Sequence, residues 1–114
     1  MIELSQIRRF ALSLPEVTEE PHFQYTSFRV RGKIFATVPP QANFLHVFVG
    51  DREREIALAL EPGFIDKLLW GGKVVGLRVD LSVVSPKVAK DLVMQAGESR
   101  APKSLLKARQ QQAP

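Results

Sequence analysis

The sequence predicts a single α+β domain, an antiparallel sheet of about four to five strands packed with N-terminal, middle and C-terminal helices. Three observations carry this. The periodic segments run helix, three strands, helix, strand, helix. Consecutive strands with short turns pair antiparallel, and helices must cover at least one face of the resulting sheet. The 114 residues suffice for one core, and 45% hydrophobic with 25% charged residues is ordinary for a globular chain. No internal repeat is evident.

Residues 2–14 read as a helix, because Ile7, Phe10, Ala11 and Leu14 form one apolar stripe at i, i+3, i+4 and i+7. Pro15 ends it, since the residue before proline avoids the helical region. Glu16-Val17-Thr18-Glu19-Glu20 is short and acidic, an edge strand or a loop. Residues 23–30 and 33–38 form a hairpin with its turn at Gly32, where positive φ is free of steric cost. A two-residue Arg31-Gly32 loop mixes polar and apolar residues on both faces. An odd-length loop separates them better, with Phe28, Ile34, Ala36 and Val38 on one face and Ser27, Arg29, Lys33, exposed Phe35 and Thr37 on the other.

Pro39-Pro40-Gln41-Ala42-Asn43 reads as a loop. Phe44 to Val49 is apolar on both faces apart from His46, the mark of a central strand covered on both sides. Asp51 then caps a helix supplied with Ile56 to Leu60 and stopped at Pro62-Gly63. Phe64, Ile65, Leu68 and Leu69 repeat at helical spacing as a short helix or turn ending at Trp70-Gly71-Gly72. Val74 to Val79 is a strand with Val75, Leu77 and Val79 on one face. Ser85-Pro86 starts the last helix, Ser as cap and Pro at its first position, and Gly97 ends it. Residues 99–114 form a basic tail after the domain of residues 1–98, partly disordered, with a short helix expected over 103–109.

Charge distribution bears on function. Arg100, Lys103, Lys107 and Arg109 account for the whole formal excess of +4, so residues 1–98 are formally neutral. That is unlike the basic body usual for a nucleic-acid-binding domain. There is no cysteine, which excludes disulfides, thiol catalysis and cysteine-based zinc sites. No signal peptide or bilayer-length apolar run is present, so a cytoplasmic protein without membrane contact is expected. Neither a catalytic motif nor a cofactor motif appears, and Gly71-Gly72-Lys73 is too short for a phosphate loop. The two histidines show no metal-ligand spacing, so no metal is expected. His46 reads as a satisfied core histidine. His22 reads as a structural hydrogen-bonding residue. Trp70 reads as core, its alternative being a partly exposed stacking platform flanked by Lys67 and Lys73.

The segment Leu14-Pro15-Glu16-Val17-Thr18-Glu19-Glu20-Pro21-His22-Phe23, with Ser27-Phe28-Arg29-Val30-Arg31-Gly32-Lys33-Ile34-Phe35-Ala36, resembles the N-terminal signature of MmcQ/YjbR-like proteins. Gly72-Lys73-Val74-Val75-Gly76-Leu77-Arg78 and Ala101-Pro102-Lys103-Ser104-Leu105 are similar to later segments of that family. The chain departs from it where Val74 and Val75 replace an aromatic and Gly97 a tryptophan. The resemblance implies a CyaY-like α+β fold with no established catalytic residues. It also implies DNA binding by a double-winged arrangement, a fold-level analogy. On that expectation Arg29, Arg31, Lys33, Lys73, Arg78, Arg100, Lys103 and Lys107 would contact phosphate non-specifically. The alternative is a protein- or small-ligand-binding module using a sheet face or a pocket near His22, Tyr25 and Trp70.

Overall fold

The computed structural model describes residues 1–40 and 43–101. Helix α1 (Leu4–Ser13) precedes strands β1 (Val17–His22), β2 (Tyr25–Val30), β3 (Lys33–Val38) and β4 (Phe44–Val47). Helix α2 (Asp51–Leu60), strands β5 (Ile65–Trp70) and β6 (Lys73–Asp80), and helix α3 (Pro86–Arg100) follow. The six strands make one antiparallel sheet in the order β1-β2-β3-β4-β6-β5. The expected strand count was therefore slightly low. Residues 65–70, expected as a helix or turn, are edge strand β5. Their apolar spacing fits a helix, but each residue pairs along β6, from Ile65 opposite Val79 to Trp70 opposite Lys73.

The helices lie on one face of the sheet. Ile7 and Ala11 of α1, Ala57 of α2, and Ala89, Leu92 and Val93 of α3 are buried there. They meet Phe28, Val30 and Ala36, and the β4–β6 pairs Leu45–Val79 and Val47–Leu77, in one core. Two ion pairs cross between the layers on the same face, Arg8 with Glu19 at 2.8 Å and Lys67 with Glu55 at 3.6 Å. β4 is central, as its two apolar faces predict, but helices cover it on one face only, because all three pack on the same side of the sheet.

The helix termini follow local chemistry. Ser85 Oγ accepts the Val88 N–H at 3.3 Å, with Pro86 in the first turn, as the sequence predicts. At α2 the cap is Gly50, not Asp51; Asp51 is the first helical residue and pairs with Arg54. Gly97 does not end α3, which continues to Arg100. It is buried in the helix interior against Leu14 and Phe35. A Cβ there would meet their side chains at 3.7 to 3.8 Å, ordinary van der Waals distances. Gly97→Ala is therefore expected to stabilise the fold by about 0.5–1 kcal/mol, the usual helix-interior difference. A urea titration showing destabilisation would mean that the ring of Phe35 has no room to accept a methyl group.

The hairpin β2–β3 resolves the choice of loop length in an unexpected way. Val30 pairs with Lys33, so the turn has two residues, and Arg31 (φ +48°) and Gly32 (φ +82°) both take positive φ. That is the backbone hand that matches strand twist. The register then slips: Phe28 faces Ala36 while Arg29 faces Ile34, leaving Phe35 as an extra, bulged residue. Phe35 turns into the core and is fully buried, and Ile34 shares the opposite face with Arg29. This reverses both expected placements.

Hairpin β5–β6 repeats the device. Gly71 (φ +57°) and Gly72 (φ +80°) form a two-residue turn, and Leu68–Gly76 followed by Leu69–Val74 leaves Val75 bulged. Val75 thus leaves the stripe it was expected to share with Leu77 and Val79. The two hairpins flank β4, and the matching segments Gly32-Lys33-Ile34-Phe35-Ala36 and Gly72-Lys73-Val74-Val75-Gly76 are a short internal repeat. It escaped the sequence reading because only Gly-Lys is identical. Of the basic tail, Arg100 ends α3; the expected helix over 103–109, with Lys103 and Lys107, lies outside the described residues.

Candidate functional site

The face of the sheet opposite the helices carries the alternate side chains of each strand. Register places Glu20 and His22 of β1 beside Ser27 and Tyr25 of β2, Thr37 of β3 beside His46 of β4, and His46 beside Arg78 of β6. A groove of about 460 Å³ crosses this face. Tyr25, Ile34 and Thr37 line it on one side, and Phe48, Trp70 and Val75 on the other. His22 and Phe23 close the end at the β1–β2 turn, and Arg100 reaches it from the end of α3. Both hairpin bulges contribute. They send Phe35 to the core, leave Ile34 on this face and turn Val75 into the groove.

His22, Tyr25 and Trp70, separate in sequence, therefore line one cavity. Trp70 is not core: it is 55% exposed, because edge strand β5 has no neighbour on its outer side to cover it. Its ring packs at 5.5 Å and 58° on Phe48. Sequence reasoning missed Phe48, Ile34, Thr37 and Val75 as lining residues, and no periodicity signal marks a bulge. Phe23 was also missed. It lies in the two-residue turn between β1 and β2 with φ +58°, is 92% exposed, and meets His22 edge-on at 4.9 Å. A bulky side chain at positive φ is a steric outlier, and glycine or asparagine would be the usual choice.

His46 is buried as expected, but it is not satisfied. Neither ring nitrogen has a hydrogen-bond partner among the described residues, and neither does the buried hydroxyl of Thr37. The Tyr25 ring lies 6.1 Å from the imidazole. Burial first, and the Arg78 guanidinium second, hold the His46 pKa below its ordinary value. The sign follows from linkage. Below about pH 6.5 the unfolded chain binds a proton that folded His46 refuses, so stability falls as pH drops from about 6.5 toward the depressed folded value. The slope is at most about 1.4 kcal/mol per pH unit for one proton. Urea titrations at pH 7.5 and 5.5 are expected to show this loss, and His46→Gln to flatten it. An equal loss in the variant would assign the effect to other groups.

The basic residues divide into two groups. Arg29 donates to Ser27 Oγ at 3.0 Å and to the Pro21 carbonyl at 3.3 Å, and lies 3.9 Å from Glu20. Arg31 is paired with Glu16 at 2.7 Å, and the hydrogen bond and charge of Glu16 raise its pKa. The Arg78 guanidinium lies 3.8 Å over the Phe44 ring. Lys33 and Lys73 are exposed, each beginning the inner strand of its hairpin at the same end of the sheet. Among the described residues no cluster of three or more His, Asp or Glu could hold a metal ion, and no helix is long and apolar enough to cross a membrane.

A six-stranded antiparallel sheet with helices on one face and an aromatic groove on the other defines a two-layer α+β domain. The chain belongs to the YjbR family, whose family model matches residues 12–98. No curated protein matches the sequence.

Proposed function

We propose that the protein is a binding module and that the groove on the open sheet face takes a small planar ligand. The observation that carries this is the convergence of His22, Tyr25 and Trp70 on one concave, largely apolar cavity with a few polar groups, the usual form of a small-molecule site. Phe23 supports it. An aromatic ring held in water by a strained turn lowers stability without a folded-state return, as functional residues do. Phe23→Gly is accordingly expected to raise stability by about 1 kcal/mol, the order of the steric cost of left-handed backbone, while weakening ligand binding. A variant that lost stability would remove Phe23 from the argument.

The direct test is titration with anilinonaphthalene sulfonate, an anion with a flat naphthalene ring and a largely apolar surface, read by the dye's own emission. Trp70→Ala and Tyr25→Ala are each expected to weaken binding up to about tenfold, the order of one aromatic stacking contact. Undiminished binding by both variants would place the dye elsewhere and remove the groove as the working surface.

A second reading, phosphate-directed DNA binding, is favoured by one observation: the matched hairpins present Lys33 and Lys73 at one end of the sheet, as paired wings would. The ties of Arg29 and Arg31 to Glu20 and Glu16 weigh against a wider basic surface. A mixed-sequence duplex titrated across salt concentrations tests it. Affinity should weaken as salt rises, and Lys33→Glu with Lys73→Glu should remove it from the full chain.

A further inference from the structure

We infer that the ligand of the open-face groove is an aromatic monocarboxylate, its ring among Tyr25, Phe48 and Trp70 and its carboxylate on Arg100. This rests on the groove reading above and narrows it.

The charge of the lining supplies the argument. No lining residue is an acid, and Arg100 is the one permanent cation among them. Arg8, Arg29, Arg31 and Arg54 each stand within ion-pair distance of a carboxylate. Arg100 has no such partner among the described residues. Its planar fork of N–H donors matches the two oxygens of a carboxylate. The negative end of the α3 dipole lies behind it and would repel an anion, so the guanidinium carries the attraction.

The position of that charge gives the ligand its shape. Ser99 Oγ donates to the Phe48 carbonyl at 3.4 Å, which sets the end of α3 beside Phe48. Phe48 packs on Trp70, and Lys73 stands opposite Trp70 across the β5–β6 pair, outside the lining. The groove is therefore cationic at the end of Phe48 and Trp70. His22 and Phe23 close the other end, at the β1–β2 turn. A flat ring with one anionic group at its edge fits this arrangement. The hydroxyl of Thr37 can donate or accept and so does not choose between ligands. One guanidinium balances one negative charge, which a carboxylate carries, whereas a phosphate monoester carries about 1.5 to 2 at pH 7.

The probes are 2-naphthoate, its neutral isostere 2-naphthamide, and 2-naphthyl phosphate. Each is titrated into the full chain and read by NMR shifts of the Trp70 indole N–H and the His22 ring. Naphthoate is expected to bind about three- to fivefold more tightly than naphthamide, the scale of an exposed ion pair, since Arg100 is exposed. The ratio should narrow as salt rises, and the phosphate should bind no more tightly than naphthoate. Arg100→Gln should bring the ratio to one, Arg100→Lys should keep part of it, and Lys73→Gln should leave most of it. A ratio of one in the unaltered protein, a ratio that survives Arg100→Gln or vanishes with Lys73→Gln instead, or a tighter phosphate overturns the inference. In each of these cases naphthamide binding that weakens in Tyr25→Ala keeps the groove reading. Failure of every probe to move either resonance overturns both.

Discussion

Gly76→Ala is expected to cost about 3 kcal/mol or more, at the upper end of overpacking effects, lowering the melting temperature by roughly 10–15 °C in a domain of this size. The reason is distance and not dihedral angle. Gly76 lies in β6 where the strand passes the end of β4. A Cβ there would overlap the Val47 carbonyl oxygen and lie 3.1 Å from its carbon and 3.2 Å from Phe48 Cα. All three atoms are backbone, at the end of β4 and in the residue that follows it, so no side chain can swing aside. β6 would have to separate from β4, and β6 alone joins edge strand β5 to the sheet. Gly72 provides the contrast. It has φ +80° with nothing within 4 Å of its would-be Cβ, so Gly72→Ala should cost only about 1 kcal/mol, the penalty of left-handed backbone. Calorimetry on both variants separates the two effects. Equal losses would mean that β6 does not approach β4 so closely.

Gly76 also shows where the sequence stops being legible. A glycine inside a strand pattern is ambiguous between a bulge and a close approach. Here both occur in adjacent residues, Val75 and Gly76. What periodicity does reveal, it revealed: the Ile7–Ala11 stripe of α1, the Ser85-Pro86 start of α3, and β4 as a strand apolar on both faces. Each depends on local spacing alone. The misread elements depend on partners. β5 reads as helical because Ile65, Leu68 and Leu69 satisfy two templates, and only pairing with β6 decides between them. Trp70 is exposed because β5 is an edge, a property of strand order. His46 was rightly placed inside but wrongly supplied with partners, since hydrogen bonds of a buried side chain depend on neighbours from other strands. The candidate groove was legible in His22, Tyr25 and Trp70. Its walls were not, because Ile34 and Val75 come to this face only through the two bulges.

The bulge in β3 makes the second large prediction, and it sets two adjacent residues against each other. Phe35→Ala is expected to cost about 3–5 kcal/mol, the range for deleting a buried aromatic ring. Phe35 is fully buried and lies against Gly97 of α3. Ile34 is only partly buried and lies on the groove face, so Ile34→Ala should cost about 1 kcal/mol. Regular alternation with an odd loop demands the opposite order, with Ile34 in the core and Phe35 exposed. Chemical denaturation of the two variants therefore tests the bulge without a new structure. The functional readout divides the same way. Ile34→Ala, nearly neutral for stability, should weaken dye binding in the groove, whereas a Phe35→Ala domain that remains folded should bind it almost unchanged. A larger stability loss at Ile34 than at Phe35 would put the register back to regular pairing. It would also take Ile34 out of the groove wall, leaving Tyr25 and Trp70 without the apolar surface between them.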